Sequence, residues 1–230
     1  MTNLAARDIQ SVRNAIFRHF VRTGQAPSVD ETATALGLPS AVVADAYTAL
    51  ARAHVVALEP DTVPPHILSA NPFSAHPTGY TAEIGGIRYW ATSIWALWGL
   101  PVALGEEARL QAVCGYCGAL HTFSIEQGVV LGLTGEIAHF LTPYCHWLDD
   151  VIFTCATTQL FCDDDHLQRW LQATRRVQGA AMPMTQLIHL AELWYGNRLA
   201  PNFTGRTAGQ AEALFVLAGL DSPFWRWNAG

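Results

Sequence analysis

Lysine is absent from these 230 residues; the thirteen basic side chains are all arginine, and nineteen acids leave a net charge of −6. An acidic chain with no basic run is a poor match for a phosphate backbone, so nucleic acid is not expected as a partner. Long hydrophobic runs are lacking too. The longest, Tyr89 to Leu104, falls short of the roughly 18 residues a membrane span needs, and Pro101 interrupts it. Charge is scarce at 14% while half the residues are apolar, which excludes a disordered chain and leaves a globular one with ample core. Met1 to Gln10 has no apolar stretch of the signal-peptide kind, so the expected location is cytoplasmic, with no membrane partner. There is no internal repeat and no low-complexity tract.

What the chain does have is five cysteines, all between Cys114 and Cys162. In a reducing compartment such residues are expected as thiols, ligands or nucleophiles rather than disulfides. Two of them form Cys114-Gly-Tyr-Cys117-Gly, flanked by alternating stretches at Ala108 to Val113 and Ala119 to Ile125 that read as strands of a hairpin. The glycines permit a tight turn with both sulfurs on one side, which is half of a tetrahedral site. Zinc or another soft metal would need about two further ligands, and Cys145, His146, Cys155, Cys162 and His121 are the candidates. Reduced, partly buried thiols and a redox-active disulfide are the other readings. Cys145 and His146 are adjacent, so on a strand they would point to opposite faces. Cys162 precedes Asp163-Asp-Asp165, whose charges would raise its pKa, and it is read as structural.

Residues 8 to 58 read as a helical unit. Ile9, Val12, Ile16 and Phe20 recur at helical spacing; Ser28-Val-Asp-Glu31 is a capping box opening a second helix that Gly37 stops; a third runs from Ser40 to Ala53, followed by an extended His54 to Leu58. Three helices and a strand follow the winged-helix order, but the third helix sets only Arg52 against Asp45, which speaks against DNA reading. Residues 61–80 read as a linker. Strands alternate with one apolar segment over 81–160, and Val151 to Ala156 reads as an apolar strand carrying Cys155. Three helices then follow: Asp163 to Arg176, Thr185 to Leu199, and Thr207 to Gly219, the last opened by the capping box Thr207-Ala-Gly-Gln210.

Four segments together resemble the alkylmercury lyases: Asn71-Pro-Phe-Ser with Pro77-Thr78; Tyr89 to Leu104; the Cys114 to Gly118 turn; and Phe153-Thr-Cys155 continuing through Leu160-Phe161 to Trp170. The resemblance covers about residues 8–170. It implies cleavage of a carbon–mercury bond, in which two thiolates grip the soft metal and an aspartate protonates the departing carbon. One family cysteine and the aspartate lie in a Cys-x-x-Asp segment, matched here by Ser93-Ile-Trp-Ala96 ahead of Pro101. Cys155 matches the second catalytic cysteine, and Cys114 a further cysteine of the family. With an alcohol at 93 and a methyl at 96, protonolysis is expected to be lost or altered.

The resulting expectation is an α+β fold: a winged-helix-like unit over 1–60, a linker, and a mixed, mostly antiparallel sheet domain of the alkylmercury-lyase type over 81–230 with extra C-terminal helices. The expected chemistry rests on Cys155, Ser93 and Asp150 as the catalytic set and on Cys114, Cys117 and Cys155 as metal ligands. The partner is a small-molecule or metal ligand, with a homodimer as a further candidate assembly. An active lyase using Asp149 or Asp150 as proton donor, and a metal-sensing regulator, are the rival readings.

Overall fold

The amphipathic spacing at the start of the chain builds α1 (Ala6–Thr23), which turns Val12, Ile16, Phe17 and Phe20 into the core of a computed structural model describing residues 6–227. Residues 1–5, part of the stretch read for an export signal, and 228–230 lie outside the described residues. Helix α2 (Val29–Leu36) opens with the capping box read from the sequence: Ser28 Oγ accepts the Glu31 N–H at 3.1 Å while Glu31 Oε2 accepts the Ser28 N–H at 2.8 Å. Gly37 ends it in the left-handed conformation, at φ 65°. Helix α3 (Ser40–Arg52) buries Val43, Ala46, Tyr47 and Leu50.

Strands β1 (Ala57–Leu58), β2 (Ile67–Ala70), β3 (Phe73–Ser74), β4 (Tyr80–Ile84) and β5 (Ile87–Ala91) follow. The apolar helix α4 (Ile94–Leu104) then separates them from β6 (Ala108–Val113), β7 (Leu120–Glu126) and β8 (Val129–Leu131). These eight strands form one sheet in the order β1-β2-β3-β5-β4-β6-β7-β8, every neighbouring pair antiparallel. Residues 61–80, expected as a linker, therefore contribute two strands of this sheet. Phe73 sits opposite Ala91 of β5 and stacks on Phe20 with ring centroids 5.1 Å apart, and the Tyr89 hydroxyl donates to the Val21 carbonyl at 2.6 Å. Helical unit and sheet thus share one core.

A second, three-stranded sheet has β9 (Ile137–Phe140) between β10 (Thr158–Phe161) and β11 (Ala180–Pro183), both antiparallel to it. Helices α5 (Val151–Ala156), α6 (Asp164–Thr174), α7 (Met184–Tyr195) and α8 (Ala208–Leu217) complete the fold. The capping box at Thr207 and Gln210 is formed as read. Helix α4 is apolar all round because it is enclosed on all sides: a Cβ on Gly99 would lie 2.4 Å from the ring of Tyr195 on α7, so only glycine allows this approach. No single helix among the described residues is long and apolar enough to cross a membrane.

The apolar stretch Val151 to Ala156 is a helix, contrary to the strand expected. Its β-branched residues favour a strand, but Asp150 caps it by accepting the Phe153 N–H at 2.9 Å, and the place beside β9 is taken by the next residues, Thr158–Phe161.

On β9, His139 is fully buried, with Nε2 accepting the Gly179 N–H at 3.0 Å and no partner at Nδ1 among the described residues. Burial pulls its pKa down to about 4. Between that value and the ordinary one near 6.5 the unfolded chain binds the extra proton, so stability falls as pH drops through this window, by on the order of 3 kcal/mol at its acid end. Urea unfolding at pH 7 and pH 4.5 should show this loss, and His139→Gln should remove most of the difference. An unchanged pH dependence in that variant would assign the loss to other groups.

Candidate metal centre

Strands β6 and β7 pair from Ala108↔Ile125 to Val113↔Leu120, and the six residues between, Cys114 to Ala119, form a knuckle. Cys114 N–H donates to the Ala119 carbonyl at 2.9 Å, and Gly118, at φ 71°, donates back to the Cys114 carbonyl at 2.9 Å. The hairpin read from the sequence is thus present with its turn. Gly115 presses this knuckle onto β10: its N–H donates to the Leu160 carbonyl at 2.8 Å, and a Cβ there would lie 2.1 Å from the Gln159 side chain.

Because β10 leads straight into Cys162, the contact carries a third thiol to the knuckle. Helix α6 starts at once, its N-cap Asp163 accepting the His166 N–H at 2.9 Å, which sets the imidazole in the first turn. The outcome is a cluster in which one donor atom each from Cys114, Cys117, Cys162 and His166 lies within 4.8 Å of all the others. Cys117 and Cys162 sulfurs are 3.8 Å apart, and Cys114 Sγ is 3.6 Å from His166 Nδ1. All five cysteines are free.

The electrostatics follow from crowding thiols together. Burial alone would raise the Cys114 pKa, but backbone N–H groups of Cys117, Tyr116 and Cys162, with the His166 ring, outweigh it and bring the thiol to about 6. Cys162 is pushed the other way, to about 12, by burial and by the neighbouring Cys114 and Cys117 sulfurs. One thiolate therefore forms readily at neutral pH and a second is resisted, a repulsion that a bound cation reverses. Behind Cys162, His121 Nε2 lies 3.3 Å from the sulfur while its Nδ1 lies 2.8 Å from Glu136 Oε1. Glu136 is only 3% exposed. Burial would raise its carboxyl, yet the hydroxyl and N–H of Thr134 and the His121 ring hold it at about 2.

Cys162, read as structural, lies in the cluster; Cys155, expected as a ligand beside Cys114 and Cys117, lies outside it. Strand β10, four residues and roughly 13 Å long, runs between Cys155 and Cys162. His166 was missed altogether, although the spacing Cys162-x-x-x-His166 is a signal that could have found it. His121 touches the Cys162 sulfur from outside the four-residue cluster. Cys145 lies in the short turn at Tyr144–His146, and His146 pairs with Asp149 at 2.8 Å on the surface.

The second candidate place is the start of α4. Ser93, 2% exposed, is its N-cap, and its hydroxyl accepts the Ala96 N–H at 3.1 Å. Cys155 faces this point: its thiol neighbours Thr92 and Tyr195, and burial raises its pKa against a small opposing effect of the Thr92 hydroxyl. Thr92 Oγ1 closes no hydrogen bond of ordinary geometry. Trp95 occupies the remaining space, packed against Phe140, Trp147, Trp194 and Tyr195 with ring centroids 5.0 to 5.6 Å away. Asp150, expected in the catalytic set, caps α5 from an exposed position.

Comparison with known proteins decides the family. The family model for alkylmercury lyase matches residues 73–196, more than half of the chain. The chain belongs to the alkylmercury lyase family. Its fold is also that of a crystal structure of the mercury-bound form of MerB2, which superposes with a TM-score of 0.63 at 21% identity over 86% of this chain and 91% of the other. No curated protein matches. In this alkylmercury lyase family member, the Cys-x-x-Asp pattern of the sequence resemblance falls on the N-cap and third residue of α4, where a serine and an alanine are tied by a capping hydrogen bond.

Proposed function

We propose that this chain is an alkylmercury-lyase family member that binds a soft metal ion or an organometallic cation through clustered thiols, with carbon–mercury protonolysis lost or altered. The observation that carries the reading is the contrast between two places in one fold. At the start of α4 the family's acid position offers no proton: Ala96 has a methyl group, Ser93 spends its hydroxyl on a backbone N–H, and Cys155 is a half-buried thiol whose pKa burial raises. At the knuckle, three sulfurs and an imidazole converge. Soft cations select such donors over alcohols and carboxylates. The test is a paired assay on reduced protein, following Hg(II) binding by the thiolate-to-mercury absorbance and benzene release from phenylmercury. Tight binding with negligible release is expected; release without dependence on Cys114, Cys117 or Cys162 would contradict the reading.

The metal-sensing regulator is the weaker alternative, because residues 1–60 balance five arginines against five acids. One of those arginines, Arg13, is buried and donates to the carbonyls of Arg198 and Ala200. With little net charge to release counterions, duplex DNA should give no mobility shift at micromolar protein in low salt. A shift that weakens steeply with added salt would revive the regulator.

A further inference from the structure

We infer that Cys114, Cys117, Cys162 and His166 hold a resident zinc ion that is structural rather than catalytic and that fastens α6 to the β6–β7 hairpin. This rests on the soft-metal reading of the same cluster and names the ion. A tetrahedral zinc with bonds of about 2.3 Å to sulfur and about 2.0 Å to nitrogen has sulfur–sulfur edges of about 3.8 Å and sulfur–nitrogen edges of about 3.5 Å. The Cys117–Cys162 separation is 3.8 Å and the Cys114–His166 separation 3.6 Å. Both match edges of such a tetrahedron, the remaining donor separations stay within 4.8 Å, and the sulfur pair is far wider than the roughly 2.05 Å of a disulfide.

The ligand set argues the same way. Three sulfurs and one imidazole suit zinc, while calcium and magnesium take oxygen. Asp163 and Asp165 also lie near His166, but both are exposed, and one oxygen of each is taken by the α6 cap and by Arg169 at 2.8 Å. With four protein ligands there is no open coordination position for water or substrate, which makes the site structural. His121, itself held by Glu136, faces the Cys162 sulfur from outside, the kind of contact that orients a metal ligand.

The fold also has a use for such a staple. Helix α6 rests on a small apolar cluster apart from the main core, in which Leu167, Trp170 and Leu171 join Phe161 and Cys114, and Trp170 also meets the buried His139 ring. The two ligands from the knuckle and the two from the β10–α6 corner are 45 residues or more apart in sequence, so a shared ion joins segments that little apolar surface joins. Its binding free energy becomes folding free energy of this corner.

Elemental analysis of protein purified without chelator is expected to find one zinc per chain. Cys155→Ser should keep it, and Cys162→Ser should lower it at least tenfold. Because that variant could simply unfold, His166→Cys is the sharper probe: it should retain one zinc and, with cobalt(II) in its place, show a stronger sulfur-to-cobalt absorption than the parent. Removing the metal should open the α6 amides to hydrogen exchange while those of α4 stay protected. An unchanged cobalt spectrum in His166→Cys would overturn the ligand set. Protein that is metal-free and gives no tetrahedral cobalt spectrum, yet binds Hg(II) through these cysteines, would overturn the zinc and leave the soft-metal reading standing. Zinc held by a site that Hg(II) cannot enter would do the reverse.

Discussion

Phenylmercury incubated with this protein in excess free thiol is expected to release benzene at least about 10³-fold more slowly than with a family member that has cysteine and aspartate at positions 93 and 96. A positioned general acid typically contributes 10²- to 10⁴-fold, and the carbanion-like group leaving mercury depends on it. Here the position offers a methyl group on Ala96, 0% exposed. The thiolate that would hold mercury is replaced by an alcohol already accepting a backbone N–H. Asp150 is the remaining acid on the Cys155 helix, but it caps that helix at the surface. Turnover comparable to that of an acid-bearing relative would contradict this, and its loss in Asp150→Asn would then identify the donor.

Restoring the family pattern with Ser93→Cys and Ala96→Asp should not recover activity. The serine cap is worth about 1 kcal/mol, and a carboxylate placed at buried position 96 costs several kcal/mol unless it finds partners. Trp95 and its ring of aromatic neighbours also fill the approach. Recovered turnover in the double variant would mean that the cleft is open after all.

The second large effect concerns Hg(II) affinity. Replacing Cys162 with serine is expected to weaken binding to the metal-free protein by more than about 100-fold, and replacing Cys155 by less than about threefold. A soft ion loses a thiolate in the first case and gains an alcohol it hardly uses. In the second it loses a thiol that burial holds protonated and that lies a strand's length away. Competition against a thiol chelator of known affinity measures both. Equal effects, or a larger one at Cys155, would return the chemistry to the start of α4.

Features written in a few adjacent residues were legible without coordinates: the Cys114–Gly118 knuckle, the capping boxes at Ser28 and Thr207, and the stop at Gly37. The α+β class was legible for the same reason, since alternation and helical spacing are local. The fourth member of the cluster was not, because His166 meets Cys114 only after β10 docks beside the knuckle through Gly115. Cys162 was read from its acidic neighbours, and its raised pKa instead comes from burial and two sulfurs distant in sequence, with His121 also beside it. The segment around Cys155 was misjudged from β-branched residues that a single cap at Asp150 overrode.

Thiol chemistry in this chain is proposed to reside at the knuckle and not at the start of α4. Crystals of the metal-free protein loaded with one equivalent of Hg(II) would locate the ion directly by its anomalous signal. A single peak among the sulfurs of Cys114, Cys117 and Cys162 is expected; a peak on Cys155, between Thr92 and Tyr195, would place the chemistry at α4 instead.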